Sequence, residues 1–540
     1  MNTVLLRCAA ILLTLAAWSA FGHEHDDAMP SPGEKLGSVH FRTSCTPKAQ
    51  KQFEHALTLL HSFYFPETVE AFKGVAQTDP TCAIAYWGIA MSARPNPLVG
   101  PFDAGILKRG LDAVQAGQAI SAKTQRERDW LAAIAEFYKD YETVDQDTRT
   151  RNYERAMAQL SRKYPADVEA KIFHALALNE TFDHKSYAPL LQAIKILEPL
   201  DRMYPDHPGI PHYLIHSYDV PPLAKYGVRA ANKYAKVAPA APHAQHMPSH
   251  ISSMLGMWEA SIAANQRSIE VANDYAAQKK LDGVYWSIPH SYDFMQYAYL
   301  QLGQDTKARA LVDQVLAIKK TVGWRYSTEA GAAATLARYY LERQDWKGAA
   351  ELPMPEVIKS PQGQAVIAFT RGLGASRTGD GGAARAELDN LQELRSKLLA
   401  TNQVYWSGQT DVQIAAVQAW LAKLQGNQTE ALRLMRAAAD LEDASEKHVA
   451  MENRLYPMRE LLADLLMDCE QPSLALKEYE ASMRNAPNRL RGYYGAAKAA
   501  QATQDNLKAA MYSGRLAQLT RSADGDRAEI QEIRQRLARR

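Results

Sequence analysis

Cysteine is scarce in this sequence, with four among 540 residues. Cys8 lies in an apolar N-terminal run, so the rest of the chain has Cys45, Cys82 and Cys469. Three cysteines exclude a fold built on a network of disulfides. Charge of one sign is lacking too, because 62 basic and 60 acidic side chains nearly cancel. We therefore expect no nucleic-acid partner and no binding to an anionic membrane surface.

Long apolar runs are also missing. The run at residues 8–20 is shorter than the roughly 20 apolar residues that a membrane-spanning helix needs. It ends in Ala20-Phe21-Gly22, the small-x-small pattern at which signal peptidases cut. The sequence therefore predicts a signal peptide at residues 1–22, cleaved near Gly22. It also predicts a mature protein that is periplasmic or secreted and has no membrane span.

The stretch after this cleavage site is polar. Residues 23–42 are rich in His, Asp and Pro and have almost no apolar periodicity, which predicts a disordered tail. Cleavage after Gly22 would leave His23 first and His25 third from a free amine. An amine, two amides and the ring of His25 form a square-planar set that suits Cu(II) or Ni(II). A plain polar tail is the alternative interpretation.

Helical periodicity dominates the remainder of the chain. Apolar residues recur at i, i+3, i+4 and i+7, and period-2 runs of β-branched residues are scarce. One motif recurs, in which a turn is followed by a helix that opens with a bulky residue and then alanine, as at Gly256, Trp258 and Ala260. Similar motifs lie at residues 65–72, 303–308, 344–349, 426–431 and 471–476, and prolines such as Pro80 close the repeats.

This recurring turn-and-helix motif resembles that of the tetratricopeptide repeat family. The resemblance implies an all-α fold, an α-solenoid of stacked antiparallel helix hairpins with roughly eight to eleven repeats. Prolines at residues 352–361 predict a break. We expect an N-terminal array at residues 43–350, a linker at 351–362 and a C-terminal array at 363–540. Trp87, Trp258 and Trp346 occupy packing positions between helices of such repeats.

The histidines are the most informative residues. Seven of the fifteen lie between His207 and His290. Two successive repeats close at Pro205 and Pro239, and each has histidine 7 and 11 residues later. These residues are His212 and His216 in one repeat, and His246 and His250 in the next. Side chains at i and i+4 lie on one face of a helix.

The following repeat continues the pattern with an insertion. Its turn glycine, Gly303, lies 47 residues after Gly256, and the same offset relates His243, His246 and His250 to His290, Asp293 and Tyr297. Neighbouring helices lie about 8–10 Å apart, so equivalent side chains can reach one another. The resemblance implies that these first-helix positions face the concave groove.

Converging imidazoles predict a transition-metal site, with copper or zinc as the cofactor. The candidate ligands are His212, His216, His243, His246, His250, His290 and Asp293, with Asp219 and Tyr297 as outer partners. Two alternatives remain, namely histidines hydrogen-bonded across helices and a groove for an organic ligand.

At the level of function, the first hypothesis is a periplasmic metal-binding repeat protein, with a metalloenzyme as one form of it. The second is a scaffold that holds a peptide or partner protein in its groove. No His-Glu-x-x-His, Gly-x-Ser-x-Gly or phosphate-loop motif is present, so the sequence leaves open whether the protein is an enzyme.

Five further residues carry expectations. Cys45 and Cys82 fall at the same end of neighbouring first helices, so we expect a disulfide between them and a buried Cys469. His61, on an apolar helix, is expected to be a hydrogen-bonded core residue. Pro248 cannot donate to the Ala244 carbonyl, so we expect the helix that carries His246 and His250 to kink or to begin late.

Overall fold

The computed structural model describes residues 35–65, 67–323 and 326–538. The predicted signal peptide and the tail site at His23 and His25 lie outside the described residues. Nearly all regular structure in the described part is α-helical, and the exceptions are a 3₁₀ turn at Ala224–Tyr226 and two short parallel strands. The strands are β1 Val284–Tyr285 and β2 Thr321–Val322.

The helices of the first half are α1 Pro47–His61, α2 Glu67–Thr78, α3 Ile84–Ala93, α4 Ala104–Ile120, α5 Gln125–Tyr138, α6 Gln146–Lys163, α7 Val168–Glu180, α8 Ala188–Met203, α9 Gly209–Tyr218, α10 Val228–Val237, α11 Pro242–His246, α12 Pro248–Met254 and α13 Trp258–Gln278. Those of the second half are α14 Ser287–Gln301, α15 Asp305–Ala317, α16 Tyr326–Arg343, α17 Trp346–Ala350, α18 Pro361–Thr378, α19 Gly381–Ala400, α20 Val404–Leu424, α21 Gln428–Asp443, α22 Met458–Asp468, α23 Pro472–Asn485, α24 Leu490–Ala502, α25 Asn506–Leu519 and α26 Ala528–Ala538.

The helices stack as antiparallel hairpins. Each odd-numbered helix from α1 to α9 packs on the helix that follows it, and α9, α12, α14, α16 and α18 pack on one another in turn. The described residues form twelve such pairs, with α11 and α12 together serving as one first helix and α26 closing the array. This confirms the predicted all-α fold of stacked hairpins, with slightly more pairs than the turn motifs suggest.

Pro248 interrupts the helix that carries three of the candidate ligands. Helix α11 ends at His246 and α12 begins at Pro248, with Met247 between them. Because Pro248 has no N–H, the Ala244 carbonyl loses its usual helical donor. Where the sequence predicts a kink or a late start, the structure shows an interruption at Met247, between His246 and His250.

The hydrophobic interior forms two large clusters. One contains buried side chains from Leu36 to Ile251, and the other contains buried side chains from Trp258 to Ile533. Leu352 and Ile358, in the loop between α17 and α18, are buried in the second cluster. The division of the chain at residues 351–362 stays a prediction. No helix in the described part of the chain has the length and apolarity needed to span a bilayer.

The prediction of disorder is wrong for residues 35–42. Leu36, Val39 and Phe41 are buried there, and the ring of Phe41 lies 5.1 Å from that of Phe53. The Ser38 N–H donates to the Asp206 carbonyl at 3.0 Å. Three apolar residues at irregular spacings give no periodic signal in a polar segment, yet all three side chains are buried in the core.

The C-terminal half folds back against the N-terminal half. The indole of Trp258 donates to the Asn488 carbonyl at 2.8 Å, and the N–H of Glu446 donates to the His184 carbonyl at 2.7 Å. Residues 445–455, hereafter the covering segment, connect α21 to α22. Lys447, His448 and Glu452 in this segment are all buried. The groove predicted to hold the histidines is therefore filled by the chain itself.

The predicted disulfide is present. Cys45 and Cys82 are bonded with their Cα atoms 5.0 Å apart, and Cys469 is free and buried as predicted. The bridge joins the residues that precede α1 and α3, so it ties together the first two hairpins.

Replacing both bonded cysteines, as Cys45→Ser with Cys82→Ser, should lower the free energy of unfolding by about 2–4 kcal/mol, because the unfolded chain regains the freedom of a closed loop. Denaturant titration of the oxidised protein measures this loss. Reductant should lower the unfolding midpoint of the wild type to about that of the double variant. It should leave the midpoint of the double variant unchanged. A double variant that still responds to reductant would contradict the assignment.

Candidate metal centre

Four helices bring six histidines together in the interior. Helix α9 supplies His212 and His216, α11 supplies His243 and His246, α12 supplies His250 and α14 supplies His290. All six are buried. They form two groups of three, and within each group one nitrogen per ring lies within 4.8 Å of the others. Cluster A is His212, His216 and His243, and cluster B is His246, His250 and His290.

Cluster A is centred on His212. Its Nε2 lies 3.0 Å from Nε2 of His216 and 3.0 Å from Nε2 of His243. Its Nδ1–H donates to the main-chain carbonyl of His61 at 2.6 Å. A carbonyl can only accept, so Nδ1 carries the proton and Nε2 of the neutral ring presents a lone pair. Within the described residues, the buried Nδ1 of His216 has no hydrogen-bond partner.

Cluster B shows the same arrangement more sharply. Nε2 of His246 lies 3.0 Å from Nε2 of His250. Nδ1–H of His246 donates to Asn265 Oδ1 at 2.6 Å, and the Asn265 amide nitrogen donates to the Ser261 carbonyl, which fixes the orientation of that amide. Nδ1–H of His250 donates to Asp219 Oδ2 at 2.7 Å. Both Nδ1 atoms therefore carry protons.

Two neutral rings whose Nδ1 atoms are both protonated have no proton on either Nε2. In cluster B the Nε2 lone pairs of His246 and His250 consequently face each other at 3.0 Å. Burial lowers the pKa of His246 to about 4 and holds the pKa of His250 well below its ordinary value, so neither ring gains a second proton at neutral pH. Such an arrangement is unfavourable unless a cation lies between the lone pairs.

The remaining four rings are also kept neutral. Burial, with the neighbouring histidines as a further cause, holds the pKa well below its ordinary value in His212, His216, His243 and His290. Neutral imidazole is the form that binds metal ions. The buried cluster therefore presents unprotonated nitrogens across the physiological pH range.

The two clusters adjoin and have the same design. Each takes an i, i+4 pair of histidines from one first helix and a third histidine from the start of the next. The ring centres of His216 and His250 are 6.0 Å apart, and those of His243 and His246 are 6.1 Å apart. His243 and His246 are one helical turn apart on α11, so the two clusters share that helix.

Each cluster is covered by one phenylalanine. The ring centre of Phe63 lies 4.5, 5.6 and 6.0 Å from the rings of cluster A. The ring centre of Phe294 lies 4.6, 4.8 and 5.2 Å from the rings of cluster B. Tyr234 stacks on His212 at 4.9 Å. These rings wall the nitrogens off from bulk water and hold the imidazoles in place.

Asp219 links cluster B to the covering segment. Its Oδ2 accepts from Nδ1–H of His250 and from the ammonium of Lys447, each at 2.7 Å. Burial raises the pKa of Asp219, and the nearby Lys447 opposes that rise. A carboxylate that orients a ligating imidazole is a frequent outer partner in metal sites. Asp219 therefore occupies the position that the sequence predicts for it.

Asp293 and Tyr297 are not brought to either cluster, which corrects the sequence prediction. Asp293 accepts from the Arg338 guanidinium at 2.7 Å and from the Glu452 N–H at 2.9 Å, so it holds the covering segment. Tyr297 lies against Trp258 and Arg489. Both residues lie on α14. Their side chains point away from the clusters because Arg338 pairs with Asp293 and Arg489 pairs with Tyr297.

A third group, His61, Glu169 and His207, lies beside cluster A. Glu169 accepts from His61 at 2.9 Å and from His207 at 2.8 Å, and Nδ1 of His61 meets the Tyr213 hydroxyl at 2.9 Å. Although burial opposes it, the two histidines hold the pKa of Glu169 below its ordinary range. The prediction of a hydrogen-bonded core histidine at position 61 agrees with these contacts. The group holds His61 in place, and the main-chain carbonyl of His61 accepts the hydrogen bond from Nδ1–H of His212.

A cavity of about 550 Å³ lies on the other side of the covering segment. It is lined in part by His184, Tyr405, Trp406 and His448. Nδ1 of His184 donates to the Lys447 carbonyl at 3.2 Å, while the Lys447 side chain points to Asp219. Lys447 thus separates the cavity from cluster B.

The sequence prediction missed Phe63, Asn265, Phe294 and Lys447. Phe294 lies four residues after His290, so helical spacing alone could have placed it over the same face. Asn265 and Lys447 come from a second helix and from a loop over 150 residues away. Their roles depend on packing between repeats, for which a single sequence holds no signal.

Comparison with known proteins assigns no family to this chain. No protein-family model matches this chain. No curated protein matches it either. Among solved structures, the human IFIT1 dimer with PPP-AAAA is similar at 11% identity and a TM-score of 0.36, covering 82% of this chain and 91% of that one. Naa15/Naa10 bound to HypK-THB is similar at 14% identity and a TM-score of 0.23, covering 91% of each chain. We draw no argument from likenesses this weak.

Proposed function

We propose that this protein is an exported helical-repeat protein that binds transition-metal ions, copper or zinc, at clusters A and B. The observation that carries the proposal is the 3.0 Å separation of the Nε2 atoms of His246 and His250, each ring having its Nδ1 within hydrogen-bond distance of an acceptor. Each of these rings is held by an acceptor on its far side, as ligating histidines usually are. Export to the periplasm rests on the N-terminal sequence, which lies outside the described residues.

The chemistry of the donor set favours borderline and softer metals over magnesium and calcium. Both clusters present imidazole nitrogens and no carboxylate oxygen among the described residues. Magnesium and calcium bind oxygen ligands, whereas imidazole suits zinc, copper, iron and nickel. Three histidines per ion leave one position open in a four-coordinate site, which is typical of centres that bind an exogenous ligand.

Metal analysis of the purified mature protein tests this proposal. The wild type should bind two ions per chain, and His246→Ala with His250→Ala should bind at least one fewer, because cluster B keeps a single ring. His40→Ala is the matched control, since His40 is an exposed histidine that belongs to neither cluster. An unchanged metal content in the cluster B variant, with the helical circular dichroism intact, would overturn the proposal.

Partner binding is the second candidate function. It is favoured by the open cavity beside His184 and His448, which has room for a side chain of another protein. It is disfavoured at the histidines themselves, because the covering segment already fills the groove there. The metal analysis separates the two functions, since a pure scaffold would bind no stoichiometric metal.

A further inference from the structure

We infer that clusters A and B form one dinuclear copper centre that binds dioxygen between its two ions. This inference rests on the proposed metal binding and adds the nuclearity, the metal and the class of ligand. It comes from the juxtaposition of two three-histidine clusters that share helix α11 and repeat one design. Two independent sites would have no need to be adjacent.

The geometry places the two clusters within reach of one small ligand. His243 of cluster A and His246 of cluster B are i, i+3 neighbours, a spacing that brings Cβ atoms to about 5–6 Å. Rings of the two clusters approach to 6.0 and 6.1 Å between centres. Each three-histidine set leaves a coordination position open. Two open positions on adjoining ions fit a diatomic bridge.

Charge favours copper in its lower oxidation state. All six donors are neutral, and among the described residues Asp219 is the carboxylate that hydrogen-bonds to a ring of either cluster. Its charge is already shared with Lys447 at 2.7 Å. Two divalent ions would place four positive charges in a buried site, and burying uncompensated charge is costly. Two Cu(I) ions bring half that charge.

The walls of the site favour a small, uncharged ligand. Phe63 and Phe294 cover the two clusters, and the six histidines are buried. No side chain of the described residues that contacts the rings is free to act as a base toward a metal-bound water, because Asp219 is engaged by both His250 and Lys447. Hydrolysis of a large substrate would need both an entry and a base. Dioxygen needs no base, and its small size demands only a narrow path.

The binding step is balanced without another reactant. Each Cu(I) ion gives one electron, and dioxygen accepts both. The O=O double bond becomes a single bond, and the resulting dianion lies between two Cu(II) ions. The dianion offsets two of the four charges now present. No proton is required, and release of dioxygen returns one electron to each ion.

The experiment uses the full mature protein loaded anaerobically with two Cu(I) ions per chain. On exposure to dioxygen, we expect uptake of one O₂ per two coppers, a new absorption band, and an O–O vibration that shifts when ¹⁸O₂ replaces ¹⁶O₂. His290→Ala, which removes one ligand of cluster B, should retain copper in cluster A and lose all dioxygen uptake. His243→Ala, which removes one ligand of cluster A, should retain copper in cluster B and also lose all dioxygen uptake.

The outcomes separate the two levels of inference. Two coppers bound without dioxygen uptake would overturn the dinuclear oxygen centre and leave the proposed metal binding intact. Half the wild-type uptake in either single variant would show two independent sites and also overturn it. Failure to bind copper at all would overturn the proposed function itself. His40→Ala should behave as the wild type in every measurement.

Discussion

Metal loading should stabilise the apoprotein by about 2.7 kcal/mol for each occupied cluster when free metal is 100 times the dissociation constant. The physical reason is that a folded cluster binds the ion and the unfolded chain does not. Metal binding also removes the repulsion between the facing Nε2 lone pairs of His246 and His250, because both lone pairs then point at a cation. Denaturant unfolding with and without metal measures the difference.

The matched variants make this prediction specific. His246→Ala with His250→Ala should lose the part of the gain that comes from cluster B, and His40→Ala should keep all of it. The apo form of the cluster B variant should itself lose stability, because two missing buried rings leave a cavity and remove the donors to Asn265 and Asp219, so the metal-induced gain is measured within each protein. An equal metal-induced gain in all three proteins would show that the ions bind elsewhere.

Replacing Arg338 with methionine should lower the free energy of unfolding by about 3–5 kcal/mol, because Asp293 is left as a buried charge without its partner. The guanidinium of Arg338 donates to Asp293 at 2.7 Å and to the carbonyls of Asn453, Arg454 and Leu455 at 2.8–3.0 Å. The variant should also loosen the covering segment. Hydrogen exchange at residues 452–455 should rise before exchange elsewhere.

A comparable surface pair provides the control for Arg338. Arg309 pairs with Asp313 one turn away, and both side chains are about half exposed. Arg309→Met should change the unfolding free energy by less than about 1 kcal/mol, because exposed ion pairs contribute little. Equal losses in the two variants would contradict the view that Arg338 fastens the covering segment to α14.

The stacked-hairpin fold could be predicted because its signals are local. Turn residues such as Gly256 and Gly303 end one helix and start the next, and both have positive φ in the structure. The disulfide between Cys45 and Cys82 followed from the repeat register alone. The buried segment at residues 35–42 did not, because Phe41 contacts rings from three different helices and has no local pattern.

The six histidines could be predicted as a group, but their division into two clusters could not. Register places His212, His216, His246 and His250 on like faces of adjacent helices. Register does not say which ring nitrogens meet, although Pro248 itself indicates a disturbed helix between His246 and His250. The loss of Asp293 from the site depends on Arg338 and on the covering segment, which is joined to the groove only by tertiary contacts.

Under the proposed metal binding, the number of ions per chain depends on how many neighbouring hairpins carry histidine. The series stops on one side at Gly209, which lies 34 residues before His243 and whose missing Cβ would sit 2.3 Å from the His61 ring. It stops on the other side at Asp293 and Tyr297, which stand 47 residues after His246 and His250. A solenoid of this kind can gain or lose an ion by changing a few side chains on one helix, without altering its backbone.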